Sequence, residues 1–148
     1  MDNNNIIMLD GGMGQELIHR SKKKPDSLWS ARVLMDEFDL VVNLHKDFIN
    51  AGASIISLNS YAVTPQRLAR HNIEDKFLSL QNKAIDAAIK AKNESPNNSK
   101  LKIAGCLPPL VGSYQTEIGL DDIVALDTYK HMIEIQEKSV DIFICETM

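Results

Sequence analysis

Four short apolar runs, each ending in polar or turn-forming residues, constrain this chain more than any other feature. They are "IIML" before Asp10, "SIISLNS" around Ile55, "LKIAGCLPP" around Ile103 and "DIFICETM" up to Met148. The first is continuous rather than alternating, which predicts a strand buried on both faces over Ile6 to Leu9. Helical patterns separate the runs. A short one covers about 28–35, and "DLVVNLHKDFINAGA" then places Leu40, Val41, Leu44, Phe48 and Ile49 on one face. Asp39 is the expected N-cap of that helix and Gly52 its stop. Thr64 and Pro65 open another helix. Phe77, Leu80, Ala84, Ala88 and Ala91 trace a longer one over about 74–92, and Ile123, Leu126, Tyr129 and Ile133 mark the last. Strands alternating with helices require a parallel sheet with right-handed crossovers. In such sheets ligands bind at the carboxyl ends of the strands, in closed barrels and open sheets alike.

Several function classes drop out on composition. The chain has 148 residues, enough for one domain with a core, and a formal net charge of -4. An acidic balance argues against a nucleic-acid partner, and the basic cluster from Arg20 to Lys24 reads as a solvated loop. No apolar run is long enough to cross a membrane, and "MDNNN" lacks the regions of a signal peptide, so a cytoplasmic setting is expected. Cys106 and Cys145 are too few for a disulfide scaffold and are expected as buried free thiols.

The polar strand ends carry the chemistry. "GGMG" after Asp10 fits neither the dinucleotide fingerprint nor the P-loop. Its glycines either let the backbone approach a small ligand or serve only a tight turn. Asp10 either meets a ligand or caps the turn that follows. Glu146 stands at the end of a buried strand, where an unpaired carboxylate is costly. Two carboxylates at neighbouring strand ends suit an ammonium group, although a salt bridge would serve as well. Trp29 is the only tryptophan and reads as core or as an aromatic wall over a ligand, and the Tyr61 ring is within reach of the same place. His45 is expected on the outer side of its helix. With His19, His71 and His131 it is assigned no chemistry.

Together, "LDGGMGQEL", "LWSA", "LHKDFINAGASIISLNSYAVTPQRL", "IAGCLPPLVGSYQTE" and "DIFICETM" resemble the homocysteine S-methyltransferase family, in order and over nearly the whole chain. The resemblance implies an α/β fold of the (β/α)8 TIM-barrel type and transfer of a methyl group to the thiol of homocysteine, giving methionine. Residue by residue, it implies that Asp10 and Gly11 contact the amino-acid part of homocysteine and that Glu146 pairs with its ammonium. Trp29 and Ser30 match a loop closing over the substrates. Ser30 is taken as substrate-binding, and Trp29, Asn59 and Tyr61 as the methyl-donor pocket. The donor is expected to be S-methylmethionine or S-adenosylmethionine, although "LPPLVGSY" departs from the commoner "GPYG" version and leaves that choice open. Zinc is the implied cofactor, with ligand cysteines expected beyond Met148. Neither Cys106 nor Cys145 matches them, and no metal ligand is assigned within the chain.

A complete barrel has eight strand–helix units and about 250 residues. The four units read here make residues 1–148 the N-terminal part of such a domain, a half-barrel. Such a chain is expected to be inactive alone and to need a complementary C-terminal half. The alternative is a non-catalytic fragment that binds an amino acid or complements a second half. An aldolase-like barrel would want a lysine at a strand end, and Lys102 opens its strand instead.

Overall fold

The computed structural model describes residues 6–24, 26–96, 98–114 and 119–147. The last three residues of the "VGSYQTE" segment, 115–117, and Met148 therefore lie outside it. Three parallel strands form one sheet in the order β1 (Ile55–Ser57), β2 (Lys102–Leu107), β3 (Ile142–Cys145). Helices α1 (Met13–Arg20), α2 (Ser30–Asp36) and α3 (Phe38–Asn50) precede β1, α4 (Pro65–Ala69) and α5 (Phe77–Asn93) join β1 to β2, and α6 (Asp122–Gln136) joins β2 to β3. This is the parallel α/β arrangement that the alternation of runs predicts. None of these helices is long and apolar enough to cross a membrane.

Local chemistry explains where the elements begin and end. The Thr64 hydroxyl accepts from the Arg67 N–H and Pro65 takes the first position of α4, as expected. Asp121 caps α6 by accepting from the N–H groups of Ile123 and Val124. Gly52 ends α3 at φ +109, a conformation that costs glycine little and other residues much. On α5, Ala84, Ala87, Ala88 and Ala91 are buried, and their small side chains let α5 lie close against α3. β2 is buried on both faces after Lys102, as the central strand of a covered parallel sheet must be.

Several expectations need correction. Ile6 to Leu9 is not a strand: it meets the edge of β1 only through the Leu9–Ile55 bridge and the Met8 carbonyl, which accepts from the Ser54 and Ile55 N–H groups. Its side chains are exposed, Ile6 at 68% and Leu9 at 48%, because no described element covers that edge. Asp39 does not cap α3, which starts one residue earlier; it sits in the first turn, where a negative charge favours the helix dipole. The segment from Glu74 opens as a 3-10 turn, and the α-helix begins only at Phe77. On α6 the expected face is only partly right. Ile123 and Leu126 point to solvent, Tyr129 and Ile133 pack partly against the core, and the fully buried positions are Met132 and Gln136. Helix α1 was not expected at all. Arg20, which ends it, pairs with Glu16 and Asp47, and Lys23 pairs with Asp36, so two of the four cations of the basic cluster are engaged in surface ion pairs, while Lys22 and Lys24 are exposed as expected.

His45 is the sharpest correction. It is fully buried on the inner side of α3, and neither ring nitrogen finds a partner among the described residues. Burial holds its pKa down to about 3, so the ring is neutral in the folded chain.

Candidate functional site at the carboxyl ends of the strands

Asp10 follows the Leu9 bridge, and its N–H donates to the Ile55 carbonyl at 3.0 Å. Its carboxylate accepts from the Ser57 N–H at 2.7 Å and the Ser57 hydroxyl at 2.8 Å, so it fastens the first segment to the end of β1. Burial raises its pKa, the Ser57 bonds oppose that rise, and the negative charge of Glu146 adds to it. The two acids are therefore close enough to feel each other, at the same end of the sheet.

Glu146 continues β3: its N–H donates to the Leu107 carbonyl at 3.0 Å. Its Oε2 accepts from the Cys106 thiol at 3.0 Å. Behind that thiol runs a buried amide chain. Gln136 Oε1 accepts from the Cys106 N–H at 3.1 Å, Gln136 Nε2 donates to Gln81 Oε1 at 2.9 Å, and Gln81 Nε2 donates to the Val63 carbonyl at 2.8 Å. Both glutamines are fully buried, and each link satisfies a group that would otherwise be costly in the core. Gly105 belongs to the same device, since a Cβ there would lie 2.6 Å from Gln136 Oε1.

A cleft of about 450 Å³ opens over these strand ends, lined among others by Gly11, Gly12, Trp29, Ser30, Ser57, Asn59, Tyr61, Arg67 and Glu146. It gathers every predicted site residue except Asp10, which reaches the wall only through the Ser57 it holds. Ser30 opens α2, and its carbonyl accepts from Asn59 Nδ2 at 3.4 Å. Trp29 sits at φ +52, a strained region for a bulky residue. Its indole meets Tyr61 edge to face, with centroids 5.9 Å apart. The Tyr61 hydroxyl bonds to Ser113.

Two of the three glycines have a packing role that was not expected. A Cβ on Gly11 would lie 2.8 Å from the Phe48 ring, and one on Gly14 would lie 2.5 Å from the Trp29 indole. Gly11 and Gly14 make room for the protein's own aromatic rings; of the three, Gly12 alone has open space where a Cβ would be. Gly14→Ala is therefore expected to displace Trp29 and to destabilise the chain by about 2 kcal/mol through overpacking. Because Trp29 is the only tryptophan, its emission should shift to the red. An unshifted spectrum would show that the indole does not depend on Gly14.

The comparisons with known proteins bear directly on this cleft. The family model described as homocysteine S-methyltransferase matches residues 7–148. The chain belongs to the homocysteine S-methyltransferase family. It is 34% identical to the homocysteine S-methyltransferase of Escherichia coli over 77% of this chain and 38% of that protein. It is 28% identical to the homocysteine S-methyltransferase YbgG of Bacillus subtilis over 100% of this chain and 52% of that one. The crystal structure of the homocysteine methyltransferase MmuM from Escherichia coli in its metallated form superposes with a TM-score of 0.80 at 29% identity, covering 99% of this chain and 55% of the other. The chain thus spans about half the length of the relatives it matches.

That a homocysteine S-methyltransferase relative is described as metallated raises the question of a metal here. Among the described residues no group of three or more His, Cys, Asp or Glu is placed to hold one. Cys106 is the wrong kind of ligand, because burial and the neighbouring Glu146 push its thiol pKa well up and keep it a proton donor. Cys145, expected to be buried, is exposed. The described residues of this chain do not fit a metal site.

Ser57, Arg67 and the Cys106–Gln136–Gln81 chain were not read from the sequence. The available signal was a glutamine at a core position of each of two helices, Gln81 beside Leu80 and Gln136 after Met132.

Proposed function

We propose that this chain is the homocysteine- and donor-binding part of a homocysteine S-methyltransferase, forming the first half of a (β/α)8 barrel. The observation that carries the reading is the single cleft that brings Gly11, Trp29, Ser30, Asn59, Tyr61 and Glu146 together at the carboxyl ends of parallel strands. Glu146 supplies the negative charge for the substrate ammonium, and Asp10, fixed by Ser57, adds to the negative potential behind it. Gly11 and Ser30 flank the amino acid, while Trp29, Asn59 and Tyr61 bound the space for the methyl donor.

In the proposed reaction the homocysteine sulfur bonds to the methyl carbon, the bond from that carbon to the donor's sulfur breaks, and the thiol proton is released. An ordinary thiol is mostly protonated at neutral pH, and the nucleophile is the thiolate. The described residues bind and orient but offer no group that ionises the thiol. Zinc, which supplies that chemistry in the proposed whole enzyme, needs ligands from outside them.

The test is methionine formation from homocysteine and S-methylmethionine in the presence of zinc. The chain alone is expected to be inactive, and addition of a polypeptide carrying the remaining strands to restore turnover. Turnover by the chain alone would overturn the division of labour proposed here. A second reading, a non-catalytic amino-acid-binding fragment, is favoured by the lack of a metal-holding group among the described residues. It predicts homocysteine binding with no turnover under either condition.

A further inference from the structure

We propose that Arg67 is a carboxylate seat in the cleft, the residue that takes the carboxylate of the methyl donor. The ligand's role as methyl donor rests on the function proposed above; the seat rests on geometry.

Arg67 lines the same cleft as Tyr61 and Glu146. Its guanidinium is held on two sides. Nε and Nη2 donate to the Pro109 carbonyl at 3.3 and 3.1 Å, and the guanidinium carbon lies 5.0 Å above the centre of the Tyr61 ring. Its backbone N–H is taken by the Thr64 hydroxyl, so the helical turn that carries it is pinned as well.

Neither contact cancels the charge. Among the described residues, no carboxylate forms an ion pair with Arg67, whereas Arg20 and Arg32 have acidic partners. A guanidinium presents five N–H donors in a planar fork. Two groups are committed to Pro109, which leaves Nη1 and the second hydrogen of Nη2 for a carboxylate. A half-buried cation already oriented by a carbonyl and an aromatic face is a prepared anion site.

Glu146 lines the same cleft, but the proposed function gives its charge to the homocysteine ammonium, so Arg67 is the charge that a donor meets. A cationic donor without a carboxylate would face that guanidinium unopposed, whereas one that brings its own carboxylate satisfies it.

Binding of S-methylmethionine and of its carboxamide analogue, measured calorimetrically on the chain, tests the seat. The chain is expected to prefer the carboxylate form at least about tenfold, the value of a charge-assisted pair. R67Q should bring the two affinities within about twofold of each other while both ligands still bind. R67K, a point charge without the fork, should fall in between. A ratio near one in the native chain, an unchanged ratio in R67Q, or no binding of either ligand would overturn the proposal. Should R67Q fail to fold, an unchanged ratio in R67K decides against it.

The E146Q variant separates this inference from the reading beneath it. If homocysteine affinity ignores E146Q while the donor ratio collapses in R67Q, the seat stands and the methyl-transfer assignment falls. The reverse pattern removes the seat and leaves the assignment.

Discussion

Acidification below about pH 6.5 is expected to destabilise this chain steeply, and His45→Leu to remove that component. The ring is fully buried without a partner among the described residues, and its pKa is lowered from 6.5 to about 3. Between those two values the unfolded chain binds a proton that the folded chain refuses, so acid favours unfolding. The slope is about 1.4 kcal/mol per pH unit, and the full window is worth about 5 kcal/mol. Above pH 6.5 both states are neutral and the effect vanishes. Asp10 works in the opposite sense: its raised pKa means the folded chain takes up a proton more readily than the unfolded one, which opposes acid unfolding in the carboxylate range. Subtracting the variant's stability from that of the native chain, in urea titrations from pH 7 to pH 4, isolates the histidine. At pH 7 the leucine variant should be about 1–3 kcal/mol more stable, because an unsatisfied buried polar group has been replaced by an apolar one. A difference that does not change with pH would refute the account.

The second large effect is expected at Glu146. Replacement by glutamine should weaken homocysteine binding about 100-fold, the roughly 3 kcal/mol lost when a charged partner for an ammonium becomes neutral. The fold should survive, because the glutamine carbonyl can still accept from the Cys106 thiol that holds the native side chain at 3.0 Å. Calorimetry on the native chain and E146Q reads the ratio directly, and equal affinities would remove Glu146 from the site. The binding should also have its own pH dependence. Because the Asp10 pKa is raised, mainly by burial, the negative potential behind the ammonium fades at a higher pH than an ordinary aspartate would allow. Affinity should therefore begin to fall before the usual carboxylate range is reached.

The sequence made the three internal strands, their parallel order and the polar strand ends legible, because β-prone runs between amphipathic helices leave few topologies. It also placed Thr64 and Pro65 correctly, since capping depends on neighbours in the chain. What was misread depends on what lies across space. "IIML" has the composition of a doubly covered strand, yet only Met8 and Leu9 meet the edge of β1, and nothing in the run itself reveals that. His45 and Gln136 occupy core positions that polarity alone assigns to solvent. The glycines after Asp10 read as ligand access or as a tight turn, and neither reading reveals that Gly11 and Gly14 also yield to Phe48 and Trp29, rings distant in sequence. Among the residues that line the cleft, Glu146 and Tyr61 stand out by their place at strand ends, whereas Ser30 and Asn59 entered through the family resemblance. Arg67 was missed because a lone arginine in a short helix carries no signal until Tyr61 and Pro109 are seen beside it.

The unequal burial of the two cysteines makes the chain selectively addressable. Cys106 is sealed inside with its proton held, whereas Cys145 is open to solvent, one residue before Glu146. A maleimide dye or nitroxide added to the folded chain should attach at Cys145 alone, placing a label at the rim of the cleft without any engineered residue. Ligand arrival, or docking of further strands against β3, would then be read as a change in that label's mobility.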